Sequence, residues 1–166
     1  KTPAQLATIR GHLQRFTPYY GKMAERLDDY VHLFPIHPAY LEVFERVSFA
    51  ENRAALKAIS QTVSRLLDLP VPADEPGLVS YDAYWPLLAE DPIYRTSPEI
   101  REVLKVQQIL QDRIAHAYTR PQYQTLAQRL VDALSVLRLT TGDIYAPIGA
   151  TPEELRDGLA LFDPNL

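Results

Sequence analysis

An all-α protein is what this sequence predicts, and two observations predict it. Four Ser/Thr-Pro pairs, Thr2-Pro3, Thr17-Pro18, Ser97-Pro98 and Thr151-Pro152, each stand before a helix-forming stretch. A hydroxyl there can accept from the free amides of the first turn, and proline at the first helical position loses no hydrogen bond. The stretches that follow space their apolar residues by three and four, and none alternates as a strand does. The expectation is about eight helices in an irregular multi-helical bundle.

Short helices are expected over 3–15, 18–32 and 38–47, the last entered through Leu33-Phe34-Pro35-Ile36-His37-Pro38. Pro35 ends one helix there and Pro38 starts the next. Ser48-Phe49-Ala50-Glu51 reads as a capping box for a further helix, with Leu56, Ile59, Val63, Leu66 and Leu67 as its apolar stripe. Leu69 to Ser80 holds three prolines and Gly77, which predicts a stiff connection. A helix over 81–89 follows. Two longer helices start at Ser97 (stripe Ile100, Val103, Leu104, Leu110, Ile114, Ala117) and at Pro121 (stripe Tyr123, Leu126, Leu130, Leu134, Leu137). Residues 140–150 read as a packed loop, and Thr151-Pro152-Glu153-Glu154 is a second capping box opening a helix to about 162. The organisation expected is a first helical group over 1–69, a proline-rich connection over 70–80 and a second group over 81–166, able to pack as one domain.

Composition excludes several classes of function. The 166 residues contain no cysteine, so a disulfide framework, a thiolate metal site and a cysteine nucleophile are all ruled out. The 17 Lys and Arg against 21 Asp and Glu leave a net charge of −4, which disfavours broad attraction to nucleic acid or anionic lipid. No apolar run reaches a membrane span and no secretory signal opens the chain, so a cytoplasmic protein without a membrane partner is expected. No phosphate-binding glycine loop and no serine-nucleophile elbow occurs. Lys1 is not an initiator methionine, and the sequence reads as a piece of a longer protein. By itself it is not expected to be an enzyme.

A few residues carry candidate chemistry. His32 and His37 are separated by Pro35 and form no helical metal pair, so no metal site is expected. His37, at the entry of its helix, is placed to cap an amide or to touch a ligand. Arg53 and Lys57 share a helix face near a helix start, where the dipole favours anions over cations. That misfit suits an anionic partner such as a phosphate. Residues 113–138 hold Arg113, Arg120, Arg129 and Arg138 against Asp132 alone. They define the alternative function, a nucleic-acid-binding helical module, although Arg129 and Arg138 fall on opposite helix faces.

Three segments together resemble a known family: 33–40 with 51–60, then Pro76-Gly-Leu-Val-Ser-Tyr-Asp-Ala-Tyr-Trp85, and Ala133 through Thr140-Thr-Gly-Asp-Ile-Tyr-Ala-Pro-Ile-Gly-Ala-Thr-Pro-Glu-Glu to Asp157. They resemble an internal helical region of the large bacterial P-loop ATPases of the phage-exclusion (BREX/Pgl) defence type. The resemblance implies a non-catalytic lid or adaptor, with ATP and Mg²⁺ held only by an upstream ATPase core of the parent protein. Its implied partners are that core and other defence-system proteins. By analogy with lids of such ATPases, Arg53 becomes the candidate nucleotide sensor, with His37 and Lys57 secondary. Leu126–Arg138 and Thr151–Phe162 are then expected as the first two helices of a partial winged-helix element.

Overall fold

The computed structural model describes residues 1–47, 52–140 and 149–162, and for 52–58 the backbone alone. Among the described residues it is all-α: nine α-helices with three short 3₁₀ turns and no sheet. The helices are α1 (Pro3–Gln14), α2 (Gly21–Glu25), α3 (Leu27–Leu33), α4 (Pro38–Phe44), α5 (Asn52–Leu66), α6 (Trp85–Glu90), α7 (Pro98–Ala117), α8 (Pro121–Arg138) and α9 (Pro152–Leu159).

Side-chain caps open α1, α4 and α9. Thr151 Oγ1 accepts from Glu154 N–H at 3.2 Å while Glu154 accepts from Thr151 N–H at 2.8 Å, the reciprocal pair the sequence predicts. Thr2 and Gln5 make the same exchange at the head of α1. The Ser48 box lies outside the described residues, as does most of the 140–150 loop. Ser97 does not cap α7; its hydroxyl donates to Glu99 instead.

The single helix expected over 18–32 is a 3₁₀ turn (Thr17–Tyr19) followed by α2 and α3. Tertiary contacts break it. Tyr20 takes an extended backbone (φ −133°, ψ 107°) that buries its ring and lets its hydroxyl donate to Leu161 O at 2.8 Å. Arg26, at φ −122° between α2 and α3, pairs with both Asp29 and Glu42. Local propensity yields to these partners.

Two hydrophobic clusters make the core, and each draws on both sides of the proline-rich connection. The larger combines Ile36, Tyr40, Val43 and Val47 with Tyr81, Tyr84, Trp85, Leu88, Ile100, Ala133, Val136, Leu139 and Leu159. The smaller joins Leu13, Phe16, Tyr20, Met23, Tyr30 and Val31 to Ala160, with Phe162 packed against it. The boundary between 1–69 and 81–166 is therefore not a packing boundary. The connection itself is held to α1, since Arg15 donates to Ala73 O and His12 Nε2 lies 3.2 Å from Pro76 O. Gly77 turns it with φ +66°, a left-handed conformation that glycine adopts without strain. Val79 then pairs in parallel with Ile36: Val79 N–H donates to Pro35 O at 2.8 Å and His37 N–H to Val79 O at 2.9 Å.

The stripe expected on α8 is rotated. Its buried residues are Ala133, Ser135 and Val136, while Leu134 is 39% exposed. α8 lies between α7 and the 81–84 turn, and small side chains let it approach both. α9 contacts α8, as a winged-helix pair would. Asp157, Gly158 and Leu159 of α9 are buried against α2 and the 81–84 turn.

Candidate functional site

His37 is the residue around which the two clusters meet. It is the N-cap of α4 and 1% exposed. Ala39 N–H donates to its Nδ1 at 3.0 Å, and an amide can only donate, so Nδ1 carries no proton. The proton therefore sits on Nε2, which donates to the Asp157 carbonyl at 2.9 Å and lies 3.2 Å from the Tyr30 hydroxyl oxygen. The Tyr30 ring meets the imidazole edge-on at 4.9 Å. Burial pushes the His37 pKa down to about 4, the Asp157 carbonyl opposing it, so the ring is neutral at physiological pH. Both nitrogens are engaged inside the protein. Of the two roles the sequence allowed His37, capping is the one its geometry shows.

The Asp157 carbonyl is one of three at the end of α9 held by distant side chains. His37 donates to Asp157 O, Arg129 Nη2 to Leu159 O at 2.9 Å, and Tyr20 to Leu161 O at 2.8 Å. A helix leaves its last carbonyls without intrahelical donors, and here side chains from three separate segments take them. Ala160 permits this by turning left-handed (φ +46°), which brings Leu161 N–H onto Arg156 O at 3.1 Å. Arg156 in turn lies against the Asp157 carboxylate at 2.9 Å.

Arg129 also donates through Nε to Asp82 Oδ2 at 2.7 Å. Its guanidinium is thus bound within the fold, which removes it from the set of arginines expected to meet nucleic acid. Near this pair Asp132 Oδ1 accepts from Gln107 at 2.6 Å and Gln128 at 2.7 Å. Burial raises the Asp132 pKa to about 6, the Asp82 charge adding to the effect while the two amides oppose it. Four further buried oxygens, Tyr40 OH, Ser80 Oγ, Asp82 Oδ1 and Tyr84 OH, have no hydrogen-bond partner among the described residues. The 80–84 turn therefore concentrates buried polarity, which the sequence did not signal beyond its run of Tyr and Asp.

The other candidates lie apart from this junction. Arg113 and Arg120 are exposed toward the α7–α8 connection, where Arg120 sits over the Tyr123 ring at 5.9 Å. Arg138 is exposed at the opposite end of α8. Arg53 and Lys57 are on α5, but their side chains lie outside the described residues. Among the described residues no three His, Asp or Glu side chains converge as a metal-binding set, and no helix is long and apolar enough to cross a membrane.

The class defined by this architecture is an all-α domain whose two cores are joined through the carbonyl end of its last helix. Residues 2–166 match the family described as DUF6079 second domain, and the chain belongs to that family. No curated protein and no solved structure matches it.

Proposed function

We propose that the chain is a non-catalytic helical adaptor, a lid-like domain that carries rigid-body movement between other parts of a larger polypeptide. The supporting observation is the junction at α9, where His37, Arg129 and Tyr20 hold consecutive alternate carbonyls. A displacement applied at α1–α3 reaches α8 through these buried and part-buried bonds without a soft linker between them. Closure of lids on bound ligands uses such stiff bodies. The family description as a second domain fits a place beside another domain of the same polypeptide.

In its finer form the reading is a lid of a P-loop ATPase of the phage-exclusion defence type, working in the cytoplasm with other defence proteins. ATP and Mg²⁺ belong to the neighbouring core, and this chain contributes Arg53 as the cation that reaches the terminal phosphate, with Lys57 one turn on. The test is ATP turnover by the full-length parent. Arg53→Ala should lower turnover at least tenfold with folding intact, while the 166-residue chain alone should hydrolyse no ATP. Unchanged turnover in the full-length variant removes Arg53, and turnover by the isolated chain overturns the adaptor reading.

The nucleic-acid alternative rests on the exposure of Arg113, Arg120 and Arg138. The engagement of Arg129 with Asp82 leaves it three scattered cations. Salt-dependent DNA binding lost in Arg113→Ala/Arg120→Ala would favour it.

A further inference from the structure

The outer face of α7 carries a pattern that no described residue pairs with or covers. Glu102, Val106, Ile109 and Arg113 are all exposed, Val106 at 57% and Ile109 at 55%. Their four-, three- and four-residue steps place them within about 60° of one another around the helix. The opposite side of α7, with Ile100 and Gln107 buried, faces the protein. No ion pair among the described residues involves Glu102 or Arg113.

We infer that this face docks against the same face of a second copy of the chain, with the two α7 helices antiparallel about a two-fold axis between residues 107 and 108. The pattern is self-complementary about that point. The two-fold exchange sets Val106 of one copy opposite Ile109 of the other, and Glu102 opposite Arg113. Lys105 and Asp112 lie on one flank, and a perpendicular two-fold keeps that flank on the same side in both copies. Lys105 then falls about two residues, or ~3 Å of helix rise, from Asp112 of the second copy. Two apolar contacts are thus flanked by four opposite-charge pairs, with Asp112 shared between Lys105 and the neighbouring Glu102–Arg113 pair. An isologous interface requires this symmetry, and an arbitrary surface rarely has it. A single helix pair lies at the low end of interface sizes, so the association is weak.

Sedimentation equilibrium of the 166-residue chain provides the test and is independent of any ATPase assignment. As concentration rises toward the order of 1 mM, the weight-average mass should climb from the 18.9 kDa monomer toward twice that value. Glu102→Arg and Arg113→Glu should each weaken association by about tenfold, and the double variant should recover to within about threefold of the parent. Ile109→Asp should abolish association while circular dichroism and Tm stay unchanged, because the side chain is exposed. A strictly monomeric chain over this range overturns the inference; the face then serves an adjoining domain or another protein. Association indifferent to the single charge reversals, or not restored in the double variant, overturns it as well.

Discussion

Replacing His37 with alanine removes three interactions at once, and their sum can be worked out. Loss of the side-chain cap on α4 costs about 1 kcal/mol. The buried Asp157 carbonyl loses its donor at 2.9 Å, which costs ~1 kcal/mol at the low end because Ala160 N–H still approaches it at 3.4 Å. Loss of the edge-on contact with Tyr30 adds about 0.5–1.5 kcal/mol. The expected total is roughly 2–4 kcal/mol, a large part of a stability of about 5–15 kcal/mol. For a domain of this size it lowers Tm by about 10 °C. Urea unfolding followed by the fluorescence of Trp85, the sole tryptophan and 2% exposed in the larger core, measures it directly. His37→Asn keeps an acceptor at the cap position and should recover about 1 kcal/mol. A loss below about 1 kcal/mol in the alanine variant, or no advantage of asparagine over alanine, would refute the account of the junction.

Acid should act on His37 and Asp132 in opposite directions. The folded pKa of His37 is about 4 against 6.5 unfolded, so its contribution is present above 6.5 and is lost as pH falls toward 4, by about 3 kcal/mol. That of Asp132 is about 6 against 3.8, so its protonation favours the fold below 3.8 and the gain is lost as pH rises through 6. Urea midpoints between pH 4 and 8 should therefore fall more steeply with acid in Asp132→Asn than in the parent, and less steeply in His37→Asn; parallel profiles would dispose of both assignments. Arg129→Ala should cost about 3–5 kcal/mol, because it strands a carboxylate whose side chain is only 10% exposed. Adding Asp82→Asn should return part of that loss, and strictly additive losses in denaturation would contradict the pairing. Thr151→Ala should cost about 1 kcal/mol by the same measurement. Gly77→Ala should cost about 1–2 kcal/mol, since its φ is +66° and a Cβ would stand 3.1 Å from Pro72 Cδ.

Capping chemistry and apolar spacing were enough to read the fold class and most helix starts from the sequence. Thr2 and Thr151 act through their own neighbours, and a local signal reports a local contact faithfully. The break at Tyr20 was invisible because its cause, the Leu161 carbonyl, lies 141 residues away. The rotation of α8 was missed for a related reason. A stripe drawn through the largest residues assumes one buried face, whereas α8 is covered on two sides and buries Ala133 and Ser135. His37 was legible as a helix entry, but its second bond, to Asp157, was not. Arg129 illustrates the reverse error: a cation counted toward a surface charge is bound inside by Asp82 and Leu159 O. Sequence order does not disclose which charges a fold has already neutralised.

The dependence of both cores on the end of α9 has a consequence for synthesis. The bonds that close the fold span 120 residues from His37 to Asp157 and 141 from Tyr20 to Leu161. A ribosome therefore releases α1 to α4 long before their partners exist, with Tyr20, Tyr30 and His37 still facing water or a chaperone. Contacts this distant along the chain slow folding, because a large loop must close before they form. A nascent chain halted before Asp157 lacks the carbonyl acceptors of His37, Arg129 and Tyr20. Its early helices are then exposed to the proteases and chaperones that survey incomplete proteins, and emergence of α9 becomes the step that commits this domain to its native state.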